Sequence, residues 1–118
     1  MNKPLITVGL TTYNSVDTVK KALMSIQAQN WYPFEIVVVD DASTDKTLEI
    51  VDDYLKYFKE FKLITNKVNS GVAVSRNKIL AEASGEFVIF FDDDDESLPN
   101  RITEQYERLT EYERDFAL

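Results

Sequence analysis

The sequence predicts an α/β protein: a mostly parallel sheet covered by helices on both faces. Two observations carry that reading. Short runs of β-branched, aliphatic and aromatic residues alternate four times with stretches of helical period. This β-α repetition implies parallel strands joined by helical crossovers, right-handed in the usual way. The second observation is positional. Three of the four apolar runs break, at their C-terminal ends, into clusters of polar or acidic groups. Sheets of this kind bind ligands beyond the carboxyl ends of their strands, near the point where strand order reverses.

In chain order, Leu5-Ile6-Thr7-Val8-Gly9-Leu10 reads as a strand and Thr11-Thr12-Tyr13-Asn14-Ser15 ends it. Asn14 or Ser15 is the expected cap of a first helix, with Asp17 in its first turn and an apolar stripe at Val16, Val19, Ala22, Leu23 and Ile26. Trp31-Tyr32-Pro33 closes the unit as packing residues. Glu35-Ile36-Val37-Val38-Val39 is a second, buried strand, followed by Asp40-Asp41-Ala42-Ser43-Thr44-Asp45. The next helix carries Leu48, Val51, Tyr54, Leu55 and Phe58 on one face. A shorter third strand is expected at residues 61–65, then a polar loop, and a helix from about Val72 to Ala83 with Gly85 as its left-handed terminator. Phe87-Val88-Ile89-Phe90-Phe91 reads as a strand buried on both faces and runs straight into Asp92-Asp93-Asp94-Asp95-Glu96. Pro99 suits the first turn of a last helix, whose period is set by Ile102, Tyr106, Leu109 and Glu113 or Tyr112. The strands fall at roughly 5–10, 35–39, 61–65 and 86–91.

Composition excludes several functions. Thirteen Lys and Arg against 21 Asp and Glu leave a net charge of -8, which argues against a nucleic-acid partner. There is no cysteine, consistent with a reducing, cytoplasmic setting, and no histidine. Acid–base work therefore falls to carboxylates, Lys or Tyr, and any metal must accept oxygen ligands. No apolar run is long enough to span a membrane.

Four adjacent aspartates repel one another unless something partners them. One reading is a solvated acidic turn. The other is that a hard cation and ligand hydroxyls supply the partners. Mg²⁺ or Mn²⁺ takes one or two protein carboxylates and completes its shell with phosphate and water. Asp41 has the chemistry to accept from a pyrimidine N–H, Tyr13 offers a flat face to a base, and Arg76 suits phosphate or a base edge. Each has a plainer alternative. Asp40 or Asp41 could cap the helix near residue 46, Tyr13 could be a packing aromatic, and Arg76 a surface ion-pair partner; Asp45 reads as a helix-start residue. A dinucleotide loop is excluded, because no glycine follows the first strand. A phosphotransfer site would place its nucleophilic aspartate there, where this chain has threonine.

Leu10-Thr11-Thr12-Tyr13-Asn14, Val39-Asp40-Asp41-Ala42-Ser43-Thr44-Asp45, Asn69-Ser70-Gly71 with Ser75-Arg76-Asn77, and Phe91-Asp92-Asp93-Asp94-Asp95 with Leu98-Pro99-Asn100-Arg101 together resemble the family 2 glycosyltransferases. The match covers nearly the whole chain. It implies a Rossmann-like GT-A fold and inverting transfer from a nucleotide sugar, most often a UDP-sugar. By that resemblance Asp94 holds Mg²⁺ or Mn²⁺, with Asp92 and Asp95 as further candidate ligands, and Asp92 or Asp93 takes the ribose. Thr11 and Tyr13 frame the uracil, with Asn14 in the same loop, Asp41 reads the uracil N3–H, and Arg76 is the arginine of the third helix.

Members of that family run on well past this length, and their second half carries the acceptor site and a carboxylate base. Residues 1–118 are therefore expected to be the donor-binding part, with the catalytic base beyond Leu118. A glycan or lipid-linked acceptor, and peripheral association with the cytoplasmic face of a membrane, are expectations for the full-length protein. An unpaired sheet edge makes a homodimer a further expectation. The competing functions are a non-catalytic nucleotide-sugar-binding module and a metal-dependent phosphotransfer domain.

Overall fold

A computed structural model describes residues 3–116. Four strands alternate with four helices: β1 (Ile6–Thr12), α1 (Val19–Gln27), β2 (Phe34–Asp40), α2 (Thr47–Leu55), β3 (Phe61–Thr65), α3 (Val72–Glu82), β4 (Phe87–Asp92) and α4 (Arg101–Phe116). The strands form one parallel sheet in the order β3-β2-β1-β4. The chain steps outward from β1 through β2 to β3, then returns to the other side of β1. The reversal lies between β1 and β4.

The period-two alternation of the strands divides the core. Ile6, Val8, Leu10, Ile36 and Val38 face α1, α2 and α4, packing with Val19, Leu23, Ile26, Val51, Leu55 and Ile102. Val37 and Val39 face the other way and meet Ile79 of α3, with Ile64, Val88 and Phe90 around them. Helices thus cover both faces, three on one and one on the other. Fully buried side chains such as Leu23, Ile26 and Ile36 each contribute about 1.5–3 kcal/mol.

α3 comes close enough that a Cβ on Gly9 would sit 2.8 Å from Ile79 Cγ2. At the far end of the sheet Glu35 is buried and accepts from Thr7 Oγ1 and the Ser84 N–H, both at 2.6 Å, with Lys62 Nζ 3.8 Å away. This contact ties the end of α3 to β1 and β2.

Four expectations are corrected. α1 starts at Val19, because Ser15 O takes the N–H groups of both Thr18 and Val19 in a preceding turn; neither Asn14 nor Ser15 caps it, and Asp17 lies before it. Gly85 is not in the left-handed region. It is needed for close approach, since a Cβ there would meet Thr7 N at 2.6 Å. Among the described residues β4 is at the edge of the sheet, half-buried from Phe87 to Phe90, buried at Phe91 and exposed at Asp92, so its apolar run is not buried on both faces there. Pro99 precedes α4, where Leu98 O accepts from the Arg101 N–H.

Candidate functional site

Strand register brings the polar ends together. Thr11 pairs with Asp92, Thr12 with Asp40, and Asp40 with Thr65. The expected common rim is therefore present. At the reversal between β1 and β4 it opens into a cleft of about 510 Å³, whose lining includes Thr11, Tyr13, Asp41, Asp92, Asp93 and Asp94. A larger groove of about 660 Å³ lies between α1 and α2, lined by Lys20, Tyr54 and Tyr57 among others, away from these acids.

The loop after β2 is built on Asp40. This carboxylate is buried and accepts from Thr12 Oγ1 at 2.8 Å, Ser43 Oγ at 2.7 Å and the Ser43 N–H at 3.0 Å. Those contacts hold Ala42 in the left-handed region at φ 60°. Asp41 is thereby turned toward β3 and α3. Its Oδ1 accepts from Asn66 Nδ2 at 2.9 Å and the Ser70 N–H at 2.7 Å, and its Oδ2 from the Gly71 N–H at 2.9 Å. Burial pushes the Asp41 carboxyl up, but the bonds from Ser70, Asn66 and Gly71 and the charge of Lys78 outweigh it and hold it below the usual range. One lone pair of Oδ2 is left for another donor. Neither Asp40 nor Asp41 caps α2; Asp45 Oδ1 accepts from the Thr47 N–H, the helix-start role expected of it.

Tyr13 is 45% exposed, so its ring is not a core packing residue. Its N–H donates to Asp93 Oδ2 at 3.0 Å. Asn14, at φ 45°, takes the Thr44 N–H on its Oδ1 and gives its own N–H to Ser43 Oγ. It is a strut between two loops and does not line the cleft.

Asp92, Asp94 and Asp95 converge: one carboxylate oxygen from each lies within 4.8 Å of the others, and all three residues are exposed. An all-oxygen set of this kind fits Mg²⁺ or Mn²⁺. Asp93 turns the other way, toward the loop after β1. Arg76 lies beside the cleft, its guanidinium 5.0 Å from the centroid of the Phe90 ring and 3.8 Å from Asp92 Oδ1. Its Nε is buried with no hydrogen-bond partner. The acidic loop is clamped from behind by Arg101, which donates to Phe90 O at 2.8 Å and Ser97 Oγ at 3.0 Å, and by Gln29, which donates to Leu98 O at 2.7 Å.

Sequence pattern does not single out Asn66 or Thr12, and presents Ser75 only as part of a motif. Asn66 and Ser75 form a buried polar pair behind Asp41, with Asn66 Nδ2 donating to Ser75 Oγ at 3.1 Å. A signal exists, since Ser75 stands four residues before Ile79 on the buried stripe of α3.

Comparison with known proteins agrees with this layout. The glycosyl transferase family 2 model matches residues 7–118. TuaG of Bacillus subtilis is 36% identical over 109 residues, covering 92% of this chain and 43% of its own length. The GalNAc(5)-diNAcBac-PP-undecaprenol beta-1,3-glucosyltransferase of Campylobacter jejuni is 36% identical over 114 residues, which are 92% of this chain and 35% of that protein. This chain thus spans under half the length of these curated relatives. Among solved structures, S. aureus TarS 1-349 in complex with UDP-GlcNAc superposes with a TM-score of 0.80 at 37% identity, covering 90% of this chain and 31% of TarS 1-349. Mannosyltransferase PcManGT from Pyrobaculum calidifontis, in complex with GDP-Man and Mn²⁺, gives 0.78 at 31% identity, covering 86% of this chain and 31% of that one. With the strand order, the rim of aspartates and these matches in agreement, the chain belongs to glycosyl transferase family 2 and has its GT-A fold.

Proposed function

We propose that residues 1–118 are the donor-binding part of an inverting glycosyltransferase that takes a nucleotide-diphospho-sugar, specifically a UDP-sugar. The observation that carries the reading is the placement of Asp41, Asp92 and Asp94 around one cleft at the strand reversal, with Asp95 converging on the last two. Asp41 and the acidic cluster thus share a single opening, which supports one ligand reaching both. The UDP-GlcNAc complex of TarS and the GDP-Man and Mn²⁺ complex of PcManGT support the same class of ligand.

In this proposal the exposed Tyr13 ring and Thr11 frame the base, and the free lone pair of Asp41 accepts its ring N–H. Asp93, or Asp92, accepts from ribose hydroxyls. Arg76, already beside Asp92, meets the phosphates. Asp94, with Asp92 and Asp95, would hold Mg²⁺ or Mn²⁺. A divalent cation bound there supplies positive charge to the departing diphosphate. A carboxylate elsewhere in the full-length protein would take the acceptor proton. The acceptor is a glycan or a lipid-linked saccharide, the latter supported by the undecaprenol-linked substrate in the name of the Campylobacter relative. Among the described residues no helix is long and apolar enough to cross a membrane. Work at the cytoplasmic face by peripheral attachment, and pairing of two copies through a sheet edge, belong to the same proposal.

Calorimetric titration with UDP, CDP and ADP, with and without Mn²⁺, tests it. Metal-dependent preference for UDP is the expected result. No binding of any of the three, or covalent phosphate on an aspartate after exposure to a phosphodonor, would overturn it.

A further inference from the structure

Behind Asp41 lies a short polar chain that leads away from the cleft. Lys78 Nζ donates to Asn66 Oδ1 at 2.5 Å, and Asn66 Nδ2 donates in turn to Asp41 Oδ1 and Ser75 Oγ. An ammonium has only donors, so the Asn66 carbonyl must face it and the amide NH₂ must face Asp41. Asn66 and Ser75 are buried and Lys78 half-buried, so this cation acts with less screening than a surface lysine.

Three uncharged donors, on Ser70, Asn66 and Gly71, favour the ionised form of Asp41, and Lys78 adds a positive charge behind them. In the chain it follows Asp40, the last residue of β2, whose oxygens are taken by Thr12 and Ser43. From the loop before α3 it meets Asn66, Ser70 and Gly71, all uncharged. Across the cleft stand Asp92, Asp93 and Asp94. Arg76 of α3 is turned to Phe90 and Asp92. A nucleoside diphosphate would add more negative charge, and like charges favour protonation of a carboxylate. A protonated Asp41 would be a donor and would suit the ring nitrogen acceptor of cytosine or adenine. An ionised Asp41 accepts only, and suits the ring N–H of uracil or guanine.

We propose that Lys78 is a positioning residue for base selection, which through the Asn66 amide keeps Asp41 an acceptor-only carboxylate while an anionic nucleotide fills the cleft. The proposal rests on the donor-site reading above.

The test compares the wild-type chain with Lys78→Met and Lys78→Arg, each checked for folding by its melting curve, with Lys78→Gln replacing the methionine variant if that fails to fold. The Asp41 titration is followed by carboxyl-carbon NMR without ligand, and UDP and CDP affinities are measured with Mn²⁺ at two pH values. Lys78→Met is expected to raise the Asp41 midpoint and to cut the UDP-to-CDP preference severalfold at the lower pH, close to that midpoint, with recovery at the higher. Lys78→Arg should restore most of both. An unchanged midpoint, or an unchanged UDP-to-CDP ratio, in a folded variant overturns the proposal. The two readings fail differently. A wild-type chain that binds no nucleotide refutes the donor site. One that prefers UDP and keeps that preference in the Lys78 variants refutes the role of Lys78 alone.

Discussion

The backbone N–H of Tyr13 donates to Asp93 Oδ2 at 3.0 Å, across a sequence separation of 80 residues. Thr18 Oγ1 adds a second bond from the same side to Asp93 O at 3.0 Å. The run of four aspartates is therefore divided by the fold. Asp93 anchors the loop after β1, and its neighbours Asp92, Asp94 and Asp95 turn together on the other side. Splitting the run in this way lets one acidic turn serve both as a strut and as a candidate cation site.

The first prediction follows from that division. Asp94→Asn is expected to weaken Mn²⁺-dependent UDP binding by at least about tenfold, roughly 1.4 kcal/mol for one lost charge-assisted contact. Asp45→Asn should leave UDP affinity nearly unchanged, because Asp45 bonds the Thr47 N–H at the start of α2 and does not line the cleft. Calorimetry that finds the two variants alike would remove Asp94 from the cation site.

The alternation of strands with helices and the polar rim are legible in the sequence because both depend on local pattern. Apolar runs of strand length report buried pleats, and the residues that follow them must lie at the strand ends. All four strands fall within two residues of their expected positions. Features set by tertiary contact are not legible. Gly85 after a helix looks like a left-handed terminator, and only the approach of Thr7 shows another reason for it. Asn14 has a capping side chain, yet the loop after β2 offers it the Thr44 N–H instead. Phe87-Val88-Ile89-Phe90-Phe91 reads as a strand buried on both faces, and its place at the end of the sheet among the described residues depends on where the chain returns. In the site, Asp41 is recognisable from its motif, but Asn66 and Lys78 reach it from 25 or more residues away.

Two glycines should respond differently to alanine. Gly85→Ala forces a methyl against Thr7 N at 2.6 Å and Thr7 Oγ1 at 2.7 Å, an overpacking expected to cost about 1–3 kcal/mol and several degrees of Tm. The site is at the opposite end of β1, so UDP affinity of the folded fraction should hold. A methyl on Gly71 would meet nothing within 4 Å, but this residue sits at φ 93° and ψ 162°, a region essentially confined to glycine. Gly71→Ala should shift the N–H that bonds Asp41 Oδ2 and lower UDP affinity along with stability. Thermal melts paired with UDP titration check both; equal affinity losses would show that the Gly71 backbone does not support Asp41.

Acid should reveal Asp41. Its folded-state affinity for a proton lies below that of an ordinary aspartate at 3.8. The unfolded chain therefore binds more protons than the native one in the window between the folded value and 3.8, and stability rises with pH there. The contribution is fully present above that window and is lost as pH falls through the folded value. Asp41→Asn cannot ionise and sets an amide among the Ser70 and Gly71 donors. Denaturant melts should show wild type well above the variant near neutral pH, with the gap narrowing below about pH 4. A constant gap at every pH would mean that Asp41 is not stabilised as an anion.

The chain of 118 residues is expected to bind a donor without transferring its sugar efficiently. Transfer to a hydroxyl needs a base within about 2.6–3.2 Å of the acceptor oxygen, directly or through one water. The carboxylates lining the cleft already have work: Asp41 is held by three donors, Asp93 by Tyr13, and Asp92 and Asp94 belong to the acidic cluster. Glu104, Glu107 and Glu111 lie on α4 and do not line the cleft. The chain has no histidine to take the role instead. Holding a second substrate in line contributes several kcal/mol in its own right. Slow hydrolysis of the donor by water remains chemically accessible, since it needs only the base pocket and the cation site. Radiolabelled UDP-sugars assayed against a panel of glycan and lipid-linked acceptors should give product at rates orders of magnitude below about 1 s⁻¹, the scale of a working enzyme. Glycoside formation near that rate by these residues alone would place the base within the present chain, and Asp92 and Asp95 would then be the first positions to substitute.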